Sequence, residues 1–311
     1  MTAVTASATT VPAGELTGQF LLSRHAGKVP GSWTARTLAG WTLGTCELPV
    51  RDLVDDAGRP AGWLVGHPVL DGTLGDGPVR LGTSDPRQLD WRAVDALLHR
   101  LAGRFLLVLL PSEQPTVVLD AYGSLAAVFS ATEELVASTT TLTAAAEDTD
   151  LVEATGFPYR SSWLPFGLTL RRGVRRLQAD HALDLRTWRT SRHWLPPEVQ
   201  DRDPLERAMA VYEGVRTTIG AVAAVHPLSL SLTAGRDSRF VLACARDVLD
   251  QASFFTLVND GPGSVDVVTA RRLARRFDLD HVLVPVGQVD DQGLQRSLAV
   301  TGHAVDRKSV V

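Results

Sequence analysis

The feature that most constrains this chain is an alternating apolar run that ends in a turn rich in hydroxyl, glycine and carboxylate groups. The run Leu228-Ser-Leu-Ser-Leu232 has the period-two pattern of a strand, and Thr233-Ala-Gly-Arg-Asp-Ser238 follows it. A helical pattern then begins with Asp237 or Ser238 in its first turn. Because backbone N–H groups at a helix N-terminus bind anions, this strand–turn–helix unit predicts a phosphate site. The turn lacks the Gly-Lys-Ser/Thr of a Walker A loop.

Residues 252–286 extend this unit into an alternation of strands and helices. Ala252-Ser-Phe-Phe-Thr-Leu-Val258 is predicted as a second strand and residues 281–286 as a third, with a helix between them. The arginines at 271, 272, 275 and 276 are expected to lie on the solvated face of that helix. A long helix from Asp203 precedes the first strand. Such a series predicts a right-handed parallel α/β sheet whose ligand lies outside the carboxyl ends of the strands.

The N-terminal half has the pattern of an α+β sandwich. Short apolar strands with Gly, Pro and Asp turns begin at residues 19–23. Apolar residues recur at helical spacing over 90–102, Gly103 is expected to end that helix, and residues 104–110 are predicted as a buried strand. Residues 155–200 carry several prolines without sustained periodicity, which predicts a linker with a hairpin.

Composition narrows the class of protein. The chain has 311 residues, 44% hydrophobic and 21% charged, which is typical of two soluble globular domains. A net charge of −4 gives no reason to expect a nucleic-acid partner. The two cysteines, Cys46 and Cys244, are far apart and predict neither a disulfide nor a zinc site; Cys244 is expected to be buried. No membrane span and no secretion signal are found, so residues 1–16 are expected to be a disordered leader and the protein cytoplasmic.

The turn at 233–238 resembles the Ser-Gly-Gly-x-Asp-Ser loop of the PP-loop ATP pyrophosphatases, and it is most similar to the asparagine synthetase (glutamine-hydrolysing) branch. The strand at 252–258, a Ser-x-Asp turn at 264–266 and the strand after His281 follow in the family's order. Residues 172–185 are similar to the family's hairpin between domains. Residues 105–110 and 119–125 resemble its glutaminase-like domain. The resemblance spans most of residues 18–300.

This resemblance implies a fold class and a domain order. An α+β glutaminase-like sandwich of the Ntn type is expected over 17–154, a linker and hairpin over 155–200, and the N-terminal part of an α/β PP-loop domain over 201–305. Glutaminases of the family use an N-terminal cysteine, whereas residue 2 is Thr here. The glutaminase is therefore expected to be inactive. The chain then looks closest to members without that cysteine, of the β-lactam synthetase or lasso-peptide cyclase type.

The resemblance also implies the site residues. The resemblance assigns pyrophosphate binding to Thr233, Ala234, Gly235, Asp237 and Ser238. It assigns adenine contact to the backbone groups of Leu232 and Val258. Asp237 is the expected Mg²⁺ ligand, with helix capping as the alternative. Arg236, Arg239 and Asp266 are candidate pocket residues; solvated arginines and a helix-terminal charge are the alternatives. Ala234 stands where the family has a glycine, and a positive φ there would cost roughly 1 kcal/mol.

The function implied is ATP-dependent amide formation. A carboxylate would be adenylated by MgATP with release of pyrophosphate, and an amine would then attack the acyl-adenylate. ATP and Mg²⁺ are the expected cofactors, and the partners are a small-molecule or peptide carboxylate and an amine. A homodimer is left open. The alternatives are a non-catalytic nucleotide-binding or scaffold descendant and a tRNA-modifying ligase; the latter would need a basic face or zinc cysteines, and the sequence shows neither.

The C-terminal residues carry a separate expectation. The synthetase domain has too few elements after Val286 for the family pattern, and the family's later catalytic residues are absent. When residues 306–311 are translated back into codons, the resulting DNA sequence matches a common sequencing-library adapter. The sequence therefore predicts a truncated domain whose native residues end near Ala304 or Val305.

Overall fold

Two sheets packed face to face form the N-terminal part of the protein in the computed structural model. The structure describes residues 16–110, 112–156, 164–193, 203–259 and 261–287, together with positions 293, 297, 300 and 301. The predicted leader up to residue 15, Thr2 and the predicted adapter-derived segment 306–311 lie outside the described residues.

The first sheet has six strands in the order β11-β9-β10-β1-β3-β2, and each pair of adjacent strands in it is antiparallel. Its strands are β1 (Gln19–Ser23), β2 (Thr34–Leu38), β3 (Trp41–Cys46), β9 (Val128–Ser130), β10 (Leu135–Ala137) and β11 (Val174–Arg176). The second sheet has seven strands in the order β13-β12-β8-β7-β5-β4-β6. Its strands are β4 (Val50–Val54), β5 (Pro60–Leu70), β6 (Val79–Arg80), β7 (Leu101–Leu109), β8 (Thr116–Leu119), β12 (His181–Asp184) and β13 (Arg189–Arg192).

Strand β7 shows why the sequence folds as two layers. Leu106 and Val108 face the core between the two sheets, whereas Phe105 and Leu107 face the opposite side of the seven-stranded sheet. Helix α1 (Trp91–Leu98) covers that opposite side with Val94 and other apolar residues. A strand buried on both faces needs apolar residues at every position, which explains the unbroken run in this part of the sequence.

The predicted end of α1 is wrong. The helix ends at Leu98, and β7 begins at Leu101, so Gly103 lies inside a strand instead of ending the helix. Its φ is +95°, and a Cβ placed there would collide with the carbonyl oxygen of His67 on β5. Glycine is therefore required by the close approach of two strands.

Strands β11, β12 and β13 lie within the linker and hairpin predicted over 155–200, and β12 and β13 form an antiparallel hairpin. Strand β11 pairs with β9 in the six-stranded sheet, and β12 pairs with β8 in the seven-stranded sheet. These strands therefore belong to the sandwich. Helix α2 (Thr149–Thr155) lies at the end of the predicted glutaminase-like range 17–154, and residues 157–163 and 194–202 are outside the described residues.

A separate sheet of three parallel strands follows, in the order β14-β15-β16. The elements run α3 (Pro204–Ala223), β14 (Leu228–Ser231), α4 (Arg236–Cys244), β15 (Ala252–Val258), α5 (Val265–Phe277) and β16 (His281–Pro285). One face of this sheet packs on α4 and α5 through Phe254, Leu242 and Ala270. Cys244 is buried as predicted, and the four arginines of α5 are exposed as predicted.

Candidate functional site

The strand–turn–helix unit places its polar residues at the carboxyl end of β14. Leu232 follows the strand, is fully buried, and donates its N–H to the carbonyl of Phe255 on β15 at 2.8 Å. The chain then leaves the sheet, and α4 begins at Arg236. Residues 232–235 are therefore a short loop held at one end by the neighbouring strand and at the other by a helix.

The loop is closed by its own hydroxyl groups. The N–H of Thr233 donates to the Ser238 hydroxyl at 3.1 Å, and the N–H of Gly235 donates to the Thr233 hydroxyl at 3.0 Å. The two hydroxyl oxygens are 2.9 Å apart. The structure therefore brings Thr233 and Ser238 together, as expected for residues that share one site.

The N-terminus of α4 is left uncapped by Gly235, which has no side chain to accept from it. In contrast, α1, α2, α3 and α5 each have a capping side chain, from Asp90, Asp148, Asp203 and Ser264 respectively. The N–H groups of a helix's first turn have no intrahelical partner. At the N-terminus of α4, these N–H groups and the positive end of the helix dipole together favour an anion.

Asp266 reaches the loop from the first turn of α5. Its Oδ1 accepts the N–H of Ala234 at 2.8 Å, across 32 residues of sequence. Of the candidate pocket residues, Asp266 therefore contacts the loop directly. Arg239 contacts it through Nε, which donates to the Gly235 carbonyl at 3.2 Å. Arg236 and Asp237 are exposed in the first turn of α4.

Ala234 does not have the positive φ that would bring a backbone penalty. The non-glycine residues with positive φ in the described chain do not include Ala234, and Gly235 has an extended backbone with φ −61° and ψ 154°. An alanine is therefore accommodated at this position without a backbone penalty. Gly235 matters for space instead, because a Cβ there would lie 3.1 Å from the Thr233 hydroxyl.

The two residues expected to contact adenine already use their backbone carbonyls within the protein. The carbonyl of Leu232 already accepts the Thr256 hydroxyl at 2.6 Å, and the carbonyl of Val258 accepts the N–H of Val286 at 3.3 Å. A base contact with either carbonyl would have to use its second lone pair.

Thr256 is a supporting residue that sequence reasoning missed. It is fully buried on β15 and lies 2.9 Å from His281 Nε2. Because its single hydroxyl hydrogen is directed to Leu232, His281 must donate from Nε2. Burial, with help from the charge of Arg271, lowers the pKa of His281 below its ordinary 6.5. The only signal of this role in the sequence is a threonine within the mainly apolar strand β15.

Two features are absent from the part of the chain that the structure describes. There, no group of three or more His, Cys, Asp or Glu side chains is arranged to hold a metal ion. None of the helices described combines the length and apolar character needed to cross a bilayer.

No protein-family model and no curated protein matches the chain. Among solved structures, the chain is weakly similar to a glutamine-dependent NAD+ synthetase from Acinetobacter baumannii in complex with adenosine diphosphate. The two are 18% identical with a TM-score of 0.26, and the match covers 44% of this chain and 25% of that chain. The match therefore spans about a quarter of the synthetase's length.

Proposed function

We propose that the loop at residues 232–235, together with the first turn of α4, binds the pyrophosphate of ATP. We propose further that this site belongs to an amide-forming ligase of the asparagine synthetase type. The observation that carries the proposal is the uncapped N-terminus of α4, framed by the hydroxyls of Thr233 and Ser238 at the carboxyl end of β14. Unpaired N–H groups, a favourable dipole and neighbouring hydroxyl donors are the groups that recognise phosphate oxygens.

In this proposal, the protein binds ATP so that a substrate carboxylate can attack the α-phosphate. The acyl-adenylate forms, pyrophosphate leaves, and an amine then displaces AMP to give an amide. The loop's donors would stabilise the charge that develops on the leaving pyrophosphate. The sandwich would be a glutaminase-like domain of the Ntn type without glutaminase activity, and the three-stranded sheet would be the first part of the PP-loop domain.

Asp237 would hold Mg²⁺ in this site. Magnesium commonly binds to proteins through one or two carboxylates together with substrate phosphates, and not in a cage made only of protein groups. A single exposed carboxylate beside a phosphate site fits a cation that arrives with ATP. Bound there, Mg²⁺ would neutralise phosphate charge.

Calorimetric titration of the full chain with MgATP tests the binding step. We expect measurable binding by the wild type and a loss of roughly tenfold or more in Ser238→Ala, because one hydroxyl organises both Thr233 and Gly235. Ser231→Ala is the matched control, since Ser231 is exposed on β14 just before the loop. Absence of MgATP binding by the wild type would refute the proposal.

Pyrophosphate–ATP exchange by the full-length protein, assayed with a panel of carboxylates, separates the ligase from its alternative. Exchange that depends on one carboxylate is the expected result for adenylation. Binding of MgATP without exchange would favour the non-catalytic nucleotide-binding protein.

A further inference from the structure

The hydrogen bond between Asp266 and Ala234 is not required to complete helix α5. Ser264 caps that helix, with its hydroxyl accepting the N–H of Val267 at 3.4 Å. The carboxylate of Asp266 is instead directed across the sheet edge to the loop between β14 and α4. A negatively charged group therefore already occupies one backbone donor of the loop.

This contact puts an anion where an incoming anion needs to approach. A carboxylate that accepts an N–H at 2.8 Å makes a charge-assisted hydrogen bond, which is roughly twice as strong as a neutral one. A phosphate seated on the α4 N-terminus would lie beside this carboxylate and would be repelled by it. It would gain the Ala234 N–H only if Asp266 gave it up.

We propose that Asp266 acts as an internal competitor of the phosphate, holding the ligand-free loop closed and weakening binding of any phosphate that arrives without a cation. The inference rests on the proposed function of the loop. Asp266 is then a positioning residue. Its carboxylate contacts the loop backbone, and this contact sets the affinity of the site for phosphate.

A purely structural role for Asp266 predicts the opposite sign. If the bond only shaped the loop, weakening it would loosen the donors and weaken phosphate binding. If the carboxylate competes, replacing it with a neutral side chain will strengthen phosphate binding. The direction of the change therefore separates the two roles.

The experiment is a calorimetric titration of the full chain with inorganic pyrophosphate in the absence of divalent cations. Asp266→Asn keeps an oxygen that can accept from Ala234 and removes the charge, and Asp266→Ala removes the acceptor as well. Asp280→Asn is the control, because it removes the same charge from an exposed position just before β16, at the opposite edge of the sheet. Thermal unfolding of each variant shows that it is folded.

We expect Asp266→Asn to bind pyrophosphate roughly fivefold more tightly than the wild type, with Asp280→Asn close to the wild type. The gain should shrink at high salt, where charges are screened. Unchanged or weaker binding in both Asp266 variants, with binding by the wild type intact, would overturn the inference and leave the proposed function standing. Absence of pyrophosphate binding in the wild type and all variants, with no MgATP binding either, would overturn both.

Discussion

At the scale of single residues, Thr256 shows how a buried hydroxyl on a neighbouring strand supports the loop. It joins the carbonyl of Leu232, at the base of the loop, to His281 on the neighbouring strand. Thr256→Val keeps the shape and removes the hydroxyl, so the buried carbonyl of Leu232 and the half-buried ring of His281 each lose a partner. We expect a loss of about 1–3 kcal/mol in the free energy of unfolding, measured by urea denaturation.

Thr256→Ser is the matched control for this prediction. It keeps the hydroxyl and removes only a methyl group, which should cost about 1 kcal/mol through the cavity it leaves. Equal stability of the valine variant and the wild type would show that the hydrogen bonds of Thr256 contribute nothing to folding.

At the scale of elements, helix α4 has no capping side chain at the N-terminus where the anion site is proposed. Its N-cap is Gly235, in an extended conformation that other residues adopt readily. Gly235→Asp would place a carboxylate at the N-cap, where it can accept from the first-turn N–H groups. Relative to Gly235→Ala, which adds the same Cβ against the Thr233 hydroxyl, we expect a gain of about 1 kcal/mol in the free energy of unfolding.

The same change should abolish pyrophosphate binding, because the new carboxylate occupies the donors that the anion needs. Urea denaturation and calorimetry on the two variants measure both effects. Undiminished pyrophosphate binding in Gly235→Asp would show that the anion does not sit on the N-terminus of α4.

The elements also show what could be predicted from sequence. The alternation of Leu and Ser in β14 and the hydroxyls of the turn are local signals, and the strand, loop and helix lie where these signals predict them. The pairing of β12 with β8, in which Leu183 lies opposite Val117, depends on residues far apart in sequence. So does the bond from Asp266 to Ala234. Local periodicity carries no information about such partners, so the sequence predicts a hairpin within residues 155–200 but neither the strands with which it pairs nor the loop contact of Asp266.

At the scale of the whole molecule, the charged groups predict a protein that loses stability in acid in two stages. Burial lowers the pKa of His67, His193 and His281 below the ordinary 6.5. At His67, the neighbouring charges of His226 and Arg104 add to this effect. A histidine with a lowered folded pKa binds fewer protons in the folded state, so its contribution is complete above pH 6.5 and is lost as the pH falls towards the folded pKa.

Asp71 and Asp180 are among the aspartates that act in a lower pH range. A hydrogen bond from Arg100 lowers the pKa of Asp71 below 3.8, and a hydrogen bond from His181 lowers that of Asp180. Their contribution is complete above pH 3.8 and is lost as the pH falls through the folded pKa values. Both kinds of group therefore favour unfolding in acid, the histidines first.

Urea denaturation of the full chain between pH 8 and pH 3 measures these stages. The free energy of unfolding should fall below about pH 6.5 and fall again below about pH 4. His67 lies on β5 with its ring 5.9 Å from that of His226, which precedes β14, so this pair joins the sandwich to the parallel sheet. His67→Gln should therefore reduce the first fall, and His226→Gln should reduce it less, because it removes only the neighbouring charge and leaves the burial of His67. A first fall of the same size in His67→Gln as in the wild type would show that this contact does not respond to pH.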